Sequence, residues 1–125
     1  MADITGITHI ATVIVPVADQ EKALEFYTGT LGFEVVRDMP FGQGDRWLEV
    51  GPSGATTTIA LVRAQSSDQP VEISFLTSDV TGDHAGLRSA GVDGDEEVLQ
   101  FGGGVPPMFT FRDPDGNRFR VVQGG

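Results

Sequence analysis

The chain has no cysteine, so it carries no disulfide framework, no thiolate nucleophile and no cysteine-ligated zinc or iron–sulfur site. Basic residues are scarce. Lys+Arg number 8 against 18 Asp+Glu, for a formal charge of −10. Such a field repels a phosphate backbone or an anionic membrane surface, which argues against a nucleic-acid or membrane partner, while it draws in cations. Long hydrophobic runs are missing too: the longest nearly apolar stretch, Ile10 to Ala18, is interrupted by Thr12 and Pro16 and is too short for a bilayer span. No Lys or Arg precedes Lys22, which does not fit the basic start of a secretory signal. Together these absences predict a soluble, cytoplasmic protein. What is present is ordinary globular material, 39% hydrophobic and 21% charged over 125 residues, unlike disordered, collagenous or coiled-coil chains. One core of this size buries roughly two-thirds of the surface the unfolded chain exposes.

Two segments share a pattern. Ile7 to Val17 is rich in β-branched residues and reads as a strand. Asp19 follows as a helix N-cap, Ala23, Phe26, Tyr27 and Leu31 recur at helical spacing, and Gly32 ends the helix. Strands are then predicted over Phe33 to Arg37, Arg46 to Val50 and Thr56 to Val62, with glycine-rich links at Phe41–Gly44 and Gly51–Gly54. After a small, polar connector from Ala64 to Pro70 the pattern restarts. Val71 to Thr77 reads as a strand, Asp79 as a cap, and a helix runs to Gly91. The two cap residues stand 60 positions apart. Strands over Glu97 to Phe101, Met108 to Arg112 and Arg118 to Gln123 complete the second half, the last two joined by Asp113-Pro114-Asp115-Gly116-Asn117, a turn signal. The expectation is an internal duplication, module one over residues 5–64 and module two over residues 71–125, each βαβββ.

Alternation separates two faces. Val13, Val15, Leu48, Val50, Ile73, Phe75, Phe119 and Val121 form an apolar set that must meet the helices. The opposite set contains Thr12, Trp47, Glu49, Glu72, Ser74, Arg118 and Arg120. That mixture of one aromatic, hydroxyls and both signs of charge reads as a ligand-facing surface, against the plainer reading of a solvated sheet.

The run from Val15 through Pro16, Asp19, Phe26-Tyr27 and Leu31-Gly32-Phe33, then Arg46-Trp47-Leu48-Glu49-Val50, closed by Phe111-Arg112-Asp113-Pro114-Asp115-Gly116-Asn117, resembles the vicinal oxygen chelate superfamily of glyoxalases, extradiol dioxygenases and bleomycin-resistance proteins. The resemblance covers nearly the whole chain. It implies an α+β fold in which two tandem βαβββ modules form a curled, mostly antiparallel sheet around a cleft, with helices on its outer face, usually in a homodimer. It also implies a divalent metal in the cleft of the family's enzymes, held by His, Gln or Glu on the first, fourth, fifth and eighth strands. Here those positions fall on Thr12, Ala60, Glu72 and Arg120. Only Glu72 suits a cation, and an arginine among ligands repels one. No metal and no other cofactor is therefore expected.

Other candidates are weaker. His9 lies three positions before Thr12 and is expected on the opposite face or exposed; His84 lies on the second helix and is expected in packing. Gly102-Gly103-Gly104 lacks the lysine and helix of a phosphate loop and reads as a cleft rim. The acidic run Asp93–Glu97 reads as a solvated loop. The sequence thus predicts a metal-free homodimer that binds a small aromatic or cationic organic molecule, in the manner of a bleomycin-resistance protein. The competing readings are a metal-dependent lyase or dioxygenase, a metal-free acid/base enzyme using Glu49 or Glu72, and an interaction subunit without a ligand.

Overall fold

The computed structural model describes residues 6–65 and 68–124; the expected start of module one at residue 5 lies outside them. Strand β1 (Thr12–Val17) leads into α1 (Gln20–Leu24), which continues as a π-helical turn over Glu25–Thr30, and then into β2 (Glu34–Phe41), β3 (Asp45–Gly51) and β4 (Thr58–Arg63). The second half gives β5 (Glu72–Thr77), α2 (Val80–Ser89), β6 (Met108–Arg112) and β7 (Arg118–Gln123). Both expected caps form. Asp19 accepts from the Glu21 and Lys22 backbone N–H groups and Asp79 from that of Gly82, satisfying donors that a helix start leaves unpaired. Gly32 and Gly91 end the two helical segments at φ of 75° and 76°, where a Cβ would be strained.

Two of the expectations are corrected. Glu97 to Phe101 is not a strand: it contributes a single bridge, Leu99 to Met108. Its acidic neighbours and the three glycines beyond it offer too little alternating apolar surface to hold a ladder. Nor does one chain form a single continuous sheet. The strands divide into a four-stranded sheet, ordered β1-β4-β3-β2, and a three-stranded sheet, ordered β5-β7-β6. Two parallel ladders, β1 with β4 and β5 with β7, accompany three antiparallel ones.

The apolar faces of both sheets feed one core. Val15, Val17, Leu48, Val50 and Leu61 from the first join Phe109, Phe111, Phe119 and Val121 from the second, with Ala23 and Tyr27 among them. Phe26 meets Phe111, Tyr27 meets Phe119 edge-on at 6.0 Å, and Phe33 meets Phe75. The helical segment from Gln20 to Thr30 therefore packs between the sheets rather than outside them. The mixed faces are the ones left pointing away from the core.

The turn after β6 fastens this arrangement. Asp113, 5% exposed, accepts from the Tyr27 hydroxyl at 2.7 Å, from the Asn117 side-chain amide, and from the backbone N–H groups of Asp115 and Asn117. Asn117, fully buried, also donates to the Pro16 carbonyl and accepts from Val71 N–H. Burial, reinforced by the Asp113 charge, pushes the Tyr27 phenol well above its ordinary value. Because folding holds this proton on, the contribution to stability is complete below about pH 10 and is lost as pH rises above it. Tyr27 is the single tyrosine, so tyrosinate absorbance in an alkaline titration should appear only with unfolding. Tyr27→Phe should lower unfolding free energy by about 1.5–3 kcal/mol, the range for a hydrogen bond to a charged group. Tyrosinate appearing near pH 10 in the folded protein would show that the phenol is not held this way.

Candidate functional site

The mixed face of the first sheet carries a connected polar group. Trp47 and Glu49 lie two apart on β3 and share a face; the Trp47 indole N–H donates to Glu49 Oε2 at 2.6 Å. Register places Glu49 beside Ala60 on β4 and Thr12 beside Thr58. Thr58 donates its hydroxyl to Glu49 Oε1 at 2.8 Å, and Thr12 lies 3.3 Å from the Thr58 hydroxyl. Arg37 Nε on β2 stands 3.6 Å from Glu49 Oε2. The Glu49 side chain is 12% exposed, yet its charge is well supported. The indole hydrogen bond, then those from Thr58 and Thr12 and the Arg37 charge, hold its carboxyl below the usual carboxylate range despite desolvation.

Beside this network Phe41 stacks on Trp47, with ring centroids 5.8 Å apart and planes 29° apart. Phe41 ends β2 just before the Gly42–Gly44 turn, across from Asp45. Ile14 and Met39 remain exposed; Ile14 is in register with Ala60, and Met39 with Trp47. The indole is thus fixed by its N–H while its surroundings stay open and apolar, a surface suited to a flat organic molecule.

The other predicted residues lie on the second sheet. Glu72 and Ser74 on β5, and Arg118 and Arg120 on β7, share its open face, and Arg120 Nη2 donates to Glu72 Oε1 at 3.1 Å. Both partners are about half exposed, so this pair contributes little to stability, at most about 1 kcal/mol. Within one chain the seven predicted residues therefore form two groups: Thr12, Trp47 and Glu49, and Glu72, Ser74, Arg118 and Arg120. The sequence reading missed Thr58, Arg37 and Phe41. Thr58 and Arg37 reach Glu49 only through the register of β4 and β2 against β3, which alternation along single strands does not reveal. Phe41 carried a signal in the glycines that follow it, since a tight turn returns the chain over its neighbour.

The positions where the family resemblance implies a metal do not fit one. Thr12 is engaged with Thr58, Ala60 has no donor atom, and Glu72 is paired with the cationic Arg120. Among the described residues no three or more His, Cys, Asp or Glu side chains converge as a metal site would need. His9 lies exposed beside Thr8, and His84 hydrogen-bonds the Asp95 carbonyl while standing edge-on to Phe109.

A cavity of about 1080 Å³ opens between the modules, lined by Phe33, Ile59, Ile73 and Phe75 together with Thr58 of the Glu49 network and the predicted Ser74. Its lining has one titratable group, Asp83, which accepts from the Thr77 hydroxyl. The volume suits a small molecule, but the convergent polar groups that orient one are on the open face around Glu49. The open face is the better candidate site. No helix among the described residues is long and apolar enough to cross a membrane.

Comparison with known proteins identifies the family and the fold. The model of the Glyoxalase/Bleomycin resistance protein/Dioxygenase superfamily matches residues 6–121. The uncharacterised protein YetH of Bacillus subtilis (strain 168) is 34% identical over 123 residues, 94% of this chain and 99% of YetH. The crystal structure of TnmS3, an antibiotic binding protein from Streptomyces sp. CB03234, superposes with a TM-score of 0.85 at 35% identity, covering 98% of this chain and 100% of TnmS3. A member of the same superfamily from Sphaerobacter thermophilus DSM 20745 gives 0.86 at 34% identity, covering 94% and 98% of the two chains.

The Glu49 carboxylate and the single tryptophan report on each other. As pH falls, Trp47 emission should hold steady through the ordinary glutamate pKa of about 4.3 and shift only below it, as the carboxylate is protonated and the indole N–H loses its acceptor. Glu49→Gln should remove that transition. A midpoint at or above the ordinary value would show that the network does not hold the charge.

Proposed function

Because the chain belongs to the glyoxalase/bleomycin resistance protein/dioxygenase superfamily, we propose that it is a metal-free, cytoplasmic binding protein for a small organic molecule that is aromatic or cationic. The observation that carries this is the Trp47 indole pinned by Glu49, with Phe41 stacked beside it, on an open sheet face. The pinning uses the indole N–H, and Phe41 takes one side of the ring, so a flat or cationic partner would extend the Phe41–Trp47 stack, an interaction of about 0.5–2 kcal/mol. TnmS3 is an antibiotic binding protein, and its likeness supports a role for this chain in binding a small organic molecule. Glu49 is poorly suited to act as a base: both its oxygens accept hydrogen bonds and its charge is stabilised, which lowers its appetite for a proton.

The ligand cleft is completed by a second copy of the chain. Within one chain both open faces point away from the core, and β1 and β5 are sheet edges. Ile14 on β1 is 55% exposed and Leu76 on β5 is 77% exposed, apolar area that pairing covers. Setting the first sheet of one copy beside the second sheet of the other builds the curled cleft that the family resemblance implies and gathers Trp47 and Glu49 with Ser74, Glu72, Arg118 and Arg120.

Titration with naphthylmethanol and with naphthylmethylamine, read by Trp47 fluorescence and calorimetry, tests the binding. At least one should quench the indole, and Trp47→Ala should weaken binding several-fold. Unchanged binding by that variant, or a stoichiometric divalent metal in the purified protein, would overturn the reading. Light scattering at micromolar concentration should give twice the chain mass; a monomer would refute the shared cleft.

A further inference from the structure

The open face of the second sheet concentrates positive charge in an acidic protein. Alternation along β6 and β7 turns Phe109, Phe111, Phe119 and Val121 inward and leaves Arg112, Arg118 and Arg120 on the other side. Three of the chain's 8 basic residues thus share one small surface while the formal charge is −10.

The three are not equivalent. Arg112 and Arg118 are direct partners across the antiparallel ladder, a placement in which like charges repel. Arg112 has Asp93 at 3.6 Å, and Arg120 has Glu72 at 3.1 Å. Glu72 is the residue that the β5–β7 register sets beside Arg118, yet its carboxylate turns to Arg120. Among the described residues no carboxylate stands within ion-pair distance of Arg118. Two arginines are offset and the one between them is not.

We propose that Arg118, flanked by Arg112 and Arg120, is the anion-recognition point of the ligand face, and that the ligand is an aromatic carboxylate or phenolate. The proposal rests on the reading of the open faces as the ligand site and narrows its charge class. A guanidinium presents a planar fork that a carboxylate meets with two parallel hydrogen bonds. The protein's overall negative field does not prevent this, because at physiological salt the screening length is about 8 Å and the local cluster dominates within it. The cross-strand repulsion between Arg112 and Arg118 is relieved when an anion sits between them. The aromatic part of the ligand then lies toward the Phe41–Trp47 platform of the facing sheet in the shared cleft.

Three probes of one shape separate the possibilities: naphthoate, naphthylmethanol and naphthylmethylamine, measured by calorimetry with wild-type protein, Arg118→Gln and Arg118→Lys. Naphthoate should bind about tenfold more tightly than the alcohol, and the preference should weaken with salt. Arg118→Gln should abolish the preference and Arg118→Lys should retain part of it, with thermal unfolding of Arg118→Lys unchanged because the exposed charge is kept, and Arg118→Gln no less stable because it removes the repulsion with Arg112. Naphthoate binding no better than the alcohol, a preference for the amine, or an anion preference that survives Arg118→Gln would overturn the proposal. If the alcohol binds and quenches Trp47 without any anion preference, the ligand site stands and only the charge assignment falls. If none of the probes binds, both fall. A change in dimer mass with Arg118→Gln at unaltered anion preference would assign the residue to the contact between copies instead.

Discussion

Asp113 places a carboxylate between the two halves of the chain with no lysine or arginine against it among the described residues. Moving an ion out of water is costly unless hydrogen bonds replace the lost solvent. Four donors do so, and they come from both modules: the Tyr27 hydroxyl from one, and Asp115 and Asn117 from the other. Asp115 and Asn117 then reach back to Ala18 N–H and the Pro16 carbonyl. The turn is thus held at both ends of the first helical segment. Losing any one donor leaves a buried charge short of a partner, which explains why so few residues fix the relative placement of two modules whose sheets share no ladder.

That placement decides what the sheets can do. With the apolar faces committed to one core, the polar faces have no neighbour within the chain. The residues that keep the fold and the residues proposed to meet a ligand alternate along the same strands: Leu48 and Val50 inside, Trp47 and Glu49 outside; Phe119 and Val121 inside, Arg118 and Arg120 outside. Substitutions on the open faces leave the core packing intact, so one scaffold accommodates different ligands with little cost in stability.

Much of this was legible from residue order. The duplicated cap-helix-glycine pattern located both helices, because Asp19 and Asp79 cap through short-range hydrogen bonds that depend on neighbouring residues alone. Strand faces were legible for the same reason, since alternation is a property of one strand. Relations between segments were not legible. The division into two sheets depends on the aromatic contacts of Phe26, Tyr27 and Phe33 with the second module, and nothing in local periodicity distinguishes a helix packed outside a sheet from one packed between two. The Asp113 turn was recognised as a turn but not as the fastening, because the partners that tie it to the rest of the chain, Tyr27, Pro16, Ala18 and Val71, lie far away in sequence. The failed strand over Glu97 to Phe101 shows the reverse error: a short apolar-polar run looked extended, yet only Leu99 found a ladder partner.

The two open faces solve one problem in opposite ways. Where the family's enzymes tie strands together through a cation, each sheet here ties its own: hydroxyls and an indole converge on Glu49 in the first, and Glu72 meets Arg120 in the second. In the first sheet the carboxylate is saturated with donors and nearly enclosed, so its remaining role is to hold Trp47 still. In the second, three guanidinium groups share two carboxylates at the surface, so one remains to be satisfied from outside. A ligand spanning both gains little from approaching Glu49 directly. In the proposed shared cleft it would gain by covering the immobilised aromatic pair at one end and offering a carboxylate or phenolate to Arg118 at the other. The asymmetry between a closed charge network and an open one would give the proposed site a direction, and with it a basis for distinguishing an aromatic anion from a neutral aromatic of the same shape.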